Sequence, residues 1–164
     1  MTRPILYIAG PYSAGNGRTV ADNIAVARRY AVAAARKGWM PFTPHLNTAG
    51  FEIDCPEISH EEWLAGDLRI LKLLTSDTGA MLLLPHWRQS EGAMLERDWA
   101  IHLGLEVFDP PAHSGCIPPA PGRGRGVCPH YRAIHYETDD RDSCGGAGAR
   151  CPPGKTCPIR RRCR

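Results

Sequence analysis

The sequence predicts an α/β fold in which a parallel sheet carries helices on both of its faces. Short apolar runs alternate with segments of helical periodicity, in the order strand, helix, strand, helix, strand, helix, strand. The runs are continuously apolar, as is typical of strands covered on both faces. Residues that cap helices stand where each helical segment begins. In such a sheet, ligands bind beyond the carboxyl ends of the strands.

The first half of this domain supplies two strands and one helix. Residues 5–9 predict the first strand, and a loop with three glycines follows at residues 10–18. Thr19, with Asp22 three positions later, forms a capping-box pattern that begins an Ala-rich helix. Residues 39–43 predict a short second strand, whose proline favours an edge position or an irregular strand.

The second half supplies two helices and two strands. Ser59 and Glu62 repeat the capping-box pattern and begin the second helix. Residues 80–84 predict the third strand. Ser90 is placed to cap a third helix, and residues 106–108 predict a short fourth strand.

The composition changes near residue 110. Residues 1–115 carry 10 Lys and Arg against 13 Asp and Glu, whereas residues 116–164 carry 10 against 4 and hold six of the seven cysteines. We therefore expect an α/β domain at residues 1–110, a Pro/Gly-rich linker at 111–127 and a basic, Cys-rich tail at 128–164.

Apolar runs in the sequence are short. None reaches the length of about 18 residues that a membrane span needs, and the five-residue apolar stretch near the N-terminus is too short for a signal peptide. We therefore expect a cytoplasmic protein that does not associate with membranes.

The tail is open to three interpretations. Cys144, Cys151, Cys157 and Cys163 could hold a zinc ion, although no C-x2-C pair stands among them. The three arginines at 160–162 could contact nucleic acid. A solvated extension without a packed core explains the same composition.

Two carboxylates fall inside apolar helical faces. At 100° per residue, Asp67 lies within the apolar stripe of the second helix and Glu96 within that of the third. A buried carboxylate is costly unless it has a partner, and its pKa rises. Each carboxylate could be bonded to a structural partner. Together they suit the cleavage of a bond at an anomeric carbon, where one carboxylate attacks and the other donates a proton.

The loop at residues 10–18 is a candidate anion site. Backbone amides of a Gly-rich loop that leads into a helix suit a phosphate, and Arg18 adds positive charge. The loop is neither a Walker motif nor a G-x-G-x-x-G fingerprint. An ordinary tight turn between strand and helix explains it equally well.

Five segments, in their order and spacing, carry a resemblance to a known family. They are LYIAGPYS at 6–13, PFTPH at 41–45, GDLRIL at 66–71, SDTGAMLLLP at 76–85 and SEGAMLE at 90–96. Together they resemble the nucleoside 2-deoxyribosyltransferase superfamily, which includes the 2'-deoxynucleoside 5'-phosphate N-hydrolases and a large branch of phage and bacterial proteins. The resemblance implies a flavodoxin-like, or Rossmann-like, fold. It also implies a homo-oligomer, a dimer or larger, in which a neighbouring subunit helps to complete the site.

The resemblance also implies catalytic roles for particular residues, and it implies that catalysis needs no cofactor. Glu96 matches the glutamate that attacks C1' of the sugar, and the glycosyl group then passes to water or to a second base. Asp67 matches the aspartate that assists departure of the base, and Tyr7 matches the tyrosine that orients the nucleophile. Ser90 and Gly92 match positions near the sugar or the 5'-phosphate.

Residues 10–18 match the loop that holds the 5'-phosphate in the hydrolases. The resemblance therefore implies substrate contacts from Gly10, Pro11, Tyr12, Ser13, Gly15, Asn16, Gly17 and Arg18. The loop departs from the Gly-Ser-Ile-Arg-Gly-Gly-like pattern of the hydrolases, and segment 46–62 leaves the base open.

Three aromatic side chains have two interpretations each. His45 matches a family histidine near the site and either contacts substrate or makes a structural hydrogen bond. Trp87 either stacks on a base or packs at the rim of a surface loop. Tyr12 could replace or assist Tyr7.

The sequence therefore predicts an enzyme that cleaves the N-glycosidic bond of a nucleoside or a nucleoside 5'-monophosphate. Hydrolysis is favoured over transfer to another base because a Gly-rich loop suits a 5'-phosphate. Two other classes remain alternatives. One is a nucleotide-binding sensor or scaffold without turnover, and the other is a nucleic-acid-associated protein that acts through its basic tail.

Overall fold

The computed structural model describes residues 2–15, 17–109 and 117–122, and in them it shows an α/β fold. Its strands are β1 (Ile5–Ala9), β2 (Met40–Phe42), β3 (Gly79–Leu83) and β4 (Glu106–Phe108). Its helices are α1 (Val20–Arg36), α2 (Pro44–Asn47), α3 (Phe51–Asp54), α4 (His60–Leu71) and α5 (Glu91–His102), and a 3-10 turn at Trp87–Gln89 precedes α5. None of the described helices is long and apolar enough to cross a membrane.

The four strands form one parallel sheet in the order β2-β1-β3-β4. Ile5 of β1 is in register with Met40 on one side and with Gly79 on the other. The second strand of the chain, β2, thus lies on one side of β1, and the later strands β3 and β4 lie on the other side. A crevice for ligands opens where the direction reverses, beyond the carboxyl ends of β1 and β3.

Alternate residues of β1 belong to different layers. Leu6 and Ile8 belong to a core shared with α1, whereas Tyr7 and Ala9 belong to a core shared with α4 and α5. The predicted arrangement of helices on both faces of a parallel sheet is therefore confirmed.

The capping residues begin the long helices as predicted. Thr19 with Asp22 and Ser59 with Glu62 form reciprocal capping boxes, and the Ser90 hydroxyl accepts from the Ala93 amide at 3.3 Å. The edge position predicted for β2 is also confirmed.

Gly10 marks the point where the chain leaves β1 for the loop. A Cβ atom at this position would lie 2.6 Å from the Cβ of Leu84, which follows the neighbouring strand β3. Only glycine lets these two strand ends approach so closely at the crevice.

Residues 117–120 pack onto the α1 side of the sheet, although they fall within the segment predicted as a linker. The side chains of Ile117 and Ala120 are buried. Lys37 Nζ donates to the Ile117 carbonyl at 2.6 Å, and Trp39 Nε1 donates to the Pro118 carbonyl at 2.8 Å. The hydrophobic core on this face thus includes residues beyond β4.

Candidate active site

A cavity of about 770 Å³, counting its open mouth, lies beyond the carboxyl end of β1. Part of its lining comes from Gly10, from Asp67 of α4 and from Ser90, Gly92, Ala93 and Glu96 at the start of α5. The remaining wall is formed by Tyr12, His45, Thr48, Glu52, Ile58, His60, Trp63 and Leu64, with Pro44 beside them. The two predicted carboxylates therefore face the same space.

Glu96 is held by a strand of the sheet. Its side chain projects from the second turn of α5 and is 6% exposed, and Tyr7 in the middle of β1 is fully buried. The Tyr7 hydroxyl donates to Glu96 Oε1 at 2.5 Å. β1 and α5 thus fix the orientation of the carboxylate that opens into the cavity.

The surroundings of Glu96 shift its protonation. Burial raises its pKa to about 8, the hydrogen bond from Tyr7 opposes the rise, and the charge of Asp67 adds to it. Burial, with the charge of Glu96 next, raises the pKa of Tyr7 far above its ordinary value. Tyr7 therefore keeps its proton and is the donor in the pair.

Asp67 presents a second carboxyl group from α4. It is half-buried, and burial raises its pKa to about 6, while the charge of His60 opposes the rise. Because Asp67 and Glu96 influence each other, these values belong to the pair. Between pH of about 6 and about 8, the two carboxyl groups share one proton.

A second cavity adjoins the first and shares Tyr12, His60, Ser90 and Gly92 with it. Loop residues Pro11, Ser13, Ala14, Gly15 and Arg18 line it, with Asn23, His86, Gln89 and Glu91 on the other sides. Arg18 and the N-terminus of the 12-residue helix α5 make this cavity suitable for an anion.

The loop at this second cavity has a defined shape. The backbones of Gly15 and Arg18 bond each other in both directions, at 3.0 and 2.9 Å. The Asn23 amide donates to the carbonyls of Tyr12 and Ser13 at 3.2 and 3.0 Å. The first turn of α1 thus holds the loop against the crevice.

The structure brings most of the predicted site residues together. Around the first cavity lie Glu96 with its partner Tyr7, and Asp67, Gly10, Tyr12, His45, Ser90 and Gly92. Around the second lie Pro11, Ser13, Gly15 and Arg18. Gly17 lines neither cavity, and Asn16 lies outside the described residues.

Trp87 is not brought to either cavity. Its side chain is 4% exposed, its indole N–H donates to Asp109 at 3.1 Å, and the guanidinium of Arg88 lies 4.3 Å from its ring centre. The Arg88 side chain also forms an ion pair with Asp109 at 2.9 Å. Of the two interpretations of Trp87, the structure favours packing below a surface loop.

His45 both lines the cavity and makes a structural hydrogen bond, so its two interpretations hold together. Tyr12 neither replaces nor assists Tyr7. His45 lines the first cavity and also donates from Nε2 to the Pro11 carbonyl at 2.8 Å. Burial lowers its pKa, which favours the neutral ring. The Tyr12 hydroxyl donates to Glu52 rather than to Glu96, so Tyr12 does not duplicate Tyr7.

Three further residues of the first cavity, Glu52, His60 and Trp63, were not singled out from the sequence as site residues. His60 could have been found, because it lies seven positions before Asp67 and therefore on the same face of α4. Glu52 lies on the four-residue helix α3, which is too short to show a periodicity.

No family model matches the chain, and no curated protein matches it. Among the described residues, no group of three or more His, Cys, Asp or Glu side chains is arranged to hold a metal ion. The predicted zinc ligands Cys144, Cys151, Cys157 and Cys163 and the basic segment at 160–162 lie outside the described residues.

Proposed function

We propose that this protein cleaves the N-glycosidic bond of a nucleoside or nucleoside 5'-monophosphate, with Glu96 as the nucleophile. The observation that carries the proposal is the Tyr7–Glu96 hydrogen bond at 2.5 Å beside a cavity that Asp67 also lines. The resemblance to the nucleoside 2-deoxyribosyltransferase superfamily supports the same roles, with a flavodoxin-like fold and a homo-oligomer.

The chemistry proceeds in two steps. The ionised Glu96 carboxylate forms a bond to C1' as the C1'–N bond to the base breaks, and Asp67 delivers its proton to the leaving nitrogen. Asp67, now ionised, takes a proton from water, whose oxygen attacks C1' and releases Glu96. The sugar product carries the hydroxyl group, and both carboxyl groups return to their initial protonation. Transfer follows instead when a second base replaces water.

The two carboxyl groups together hold the one proton that these roles need, but the higher pKa, about 8, belongs to Glu96, so this proton lies mainly on Glu96 rather than on Asp67. Catalysis needs one ionised and one protonated carboxyl group, and the pair shares one proton between pH of about 6 and about 8. The hydrogen bond from Tyr7 favours placing the negative charge on Glu96.

The second cavity supports a 5'-phosphate on the substrate. Arg18 lines it together with Ser90, Glu91 and Gly92 at the start of α5, and four residues line both cavities. A nucleotide could therefore place its sugar near Glu96 and its phosphate near Arg18. For this reason we favour hydrolysis of a nucleoside monophosphate over transfer.

The test is to incubate the full chain with nucleosides and nucleoside monophosphates, ribo and deoxy, and to follow the free base by chromatography. We expect base release that Glu96→Ala abolishes. Asp98→Asn, on an exposed side of the same helix, is the matched control and should leave the rate unchanged. Absence of base release from the whole panel, or full activity of Glu96→Ala, would refute the proposal.

A second function is favoured by the burial of Glu96. Because its pKa is raised to about 8, much of the carboxyl group is protonated at neutral pH, which weakens a nucleophile. A nucleotide-binding sensor or scaffold without turnover would fit this state. Tight nucleotide binding without base release at pH 6, 7 and 8 distinguishes it from the enzyme.

A further inference from the structure

Glu52 is a carboxylate in the wall of the first cavity that the proposed reaction does not use. It lies on α3, and the Tyr12 hydroxyl donates to its two oxygens at 2.9 and 2.8 Å. The same hydroxyl accepts from the Gly50 amide at 3.1 Å. A tyrosine that is itself bonded to a backbone amide thus holds this exposed carboxylate in place.

Tyr12, which holds the Glu52 carboxylate, is itself packed against a buried residue of the domain. The Tyr12 ring packs edge-on against the ring of His45 with the centroids 5.8 Å apart, and His45 is buried and bonded to the Pro11 carbonyl. The position of Glu52 is therefore set by the loop after β1 and by α2, and not by α3 alone. Such support is what a binding residue requires to be selective.

The wall around Glu52 suits a flat, uncharged ring. Trp63, Ile58 and Leu64 supply apolar surface, and Phe51 packs edge-on against Trp63 at 6.0 Å between ring centres. Among the described residues that line this cavity, none is Lys or Arg. The cationic side chain Arg18 faces the second cavity. The first cavity therefore favours the base and sugar, and the second favours the phosphate.

A carboxylate can only accept hydrogen bonds, so it selects an edge that donates. Guanine presents two neighbouring donors, N1–H and the 2-amino group, which match the two oxygens of a carboxylate. Adenine and cytosine place a ring nitrogen acceptor beside their amino group, and uracil and thymine flank their one N–H with two carbonyl groups. For these bases, a lone pair would face the charge of Glu52.

We propose that Glu52, positioned by Tyr12, makes the first cavity selective for guanine, the base that offers two adjacent donors. This inference rests on the proposed function for the class of ligand, a nucleoside monophosphate. A bidentate contact of this kind typically contributes a factor of roughly 10 to 100 in discrimination. We expect a preference of that size for guanine nucleotides over the three other base types.

The test measures binding as well as turnover, both with the full chain. Calorimetry with GMP, AMP, CMP and UMP uses Glu96→Gln, which does not turn over under the proposed mechanism. A second protein carries Glu52→Gln in addition to Glu96→Gln, because glutamine keeps the shape of the Glu52 side chain but replaces one acceptor with a donor. Asp54→Asn removes a neighbouring charge on α3 outside both cavities and is the matched control.

We expect the guanine preference to fall to near unity with Glu52→Gln, to weaken with Tyr12→Phe and to persist with Asp54→Asn. Equal affinity for all four nucleotides, or a preference that Glu52→Gln leaves intact, would overturn the inference. Base release by the native chain without a guanine preference refutes the inference but agrees with the proposed function. Guanine-selective binding without base release does the opposite. Absence of binding to all four nucleotides refutes the inference, and absence of base release from the whole ribo and deoxy panel refutes the proposed function.

Discussion

Tyr7 and Glu96 lie 89 positions apart in the chain, and the tyrosine hydroxyl donates to the glutamate carboxylate at 2.5 Å in the interior of the domain. The bond joins the central strand β1 to α5 across the core on one face of the sheet. It is also the interaction that opposes the rise in the pKa of Glu96 caused by burial. The proposed nucleophile thus depends on a residue whose side chain is fully buried beneath it.

Replacing Tyr7 with phenylalanine should therefore act on the ionisation of Glu96. Without the donor, the pKa of Glu96 rises further, so the fraction ionised at neutral pH falls. We expect kcat/KM at pH 7 to drop roughly 10- to 100-fold, about 1.4 to 2.7 kcal/mol in transition-state stabilisation, and the acid limb of the pH–rate profile to move to higher pH. Tyr30→Phe removes the hydroxyl of a buried tyrosine on the opposite face and is the control. An unshifted profile in Tyr7→Phe would show that the bond is only structural.

We expect the loss of rate on replacing Asp67 to be larger for bases that are poorer leaving groups. In Asp67→Asn no proton can be delivered to the leaving nitrogen, which typically costs 10²- to 10⁴-fold, roughly 3 to 5 kcal/mol. A 7-methylguanine nucleotide carries a positive charge on its base and leaves without protonation. We expect Asp67→Asn to lose most of its rate on ordinary substrates and much less on the methylated one.

The control for this comparison is Glu61→Gln, which removes an exposed carboxylate from the first turn of the same helix. It should leave both rates unchanged. An equal loss on the two substrates in Asp67→Asn would mean that Asp67 binds or positions the substrate rather than acting as the acid. The measurement is the ratio of kcat/KM for the two substrates in each variant.

Much of the fold and the central part of the site could be predicted from local patterns. The capping boxes at Thr19 and Ser59 begin the two helices, and the 3.6-residue periodicity is what made Glu96 and Asp67 stand out. These signals depend on residues within about one turn of each other. Glu52 could not be assigned this way, because its orientation depends on Tyr12, 40 positions earlier in the chain.

The wall formed by α2 and α3 illustrates the same limit. Each helix has four residues, shorter than a segment that forms a stable helix alone, so local preference does not predict it. Trp87 is the reverse case, since its place after a strand suggested the site, whereas its burial and its hydrogen bond to Asp109 favour the packing interpretation.

The close approach at Gly10 predicts a stability effect. In Gly10→Ala, the added Cβ would meet the Cβ of Leu84 at 2.6 Å, and neither strand end can move without disturbing the sheet. We expect the free energy of unfolding to fall by roughly 1–3 kcal/mol. Gly15→Ala is the matched control, because a Cβ there meets no atom within 4 Å. Denaturant unfolding of both variants is the measurement, and equal stabilities would contradict the packing at Gly10.

The burial of Glu96 makes the stability of the domain depend on pH. The pKa of Glu96 is about 8 in the folded chain and about 4.5 when exposed, so the folded state keeps its proton while the unfolded chain loses it. Stability is therefore highest below pH of about 4.5 and decreases as pH rises toward 8. Glu96→Gln has no proton to lose, and its amide oxygen can still accept from Tyr7.

We therefore expect Glu96→Gln and the native chain to differ little in unfolding free energy near pH 4.5, and the variant to be more stable near pH 8. The gap should be on the order of a few kcal/mol, since one pKa unit corresponds to about 1.4 kcal/mol. Asp98→Asn, an exposed carboxylate on the same helix, should leave the pH dependence unchanged. Urea titrations at intervals of one pH unit measure the effect. A gap that stays constant with pH would mean that folding does not shift the pKa of Glu96, because only a difference in proton binding between the two states makes stability vary with pH.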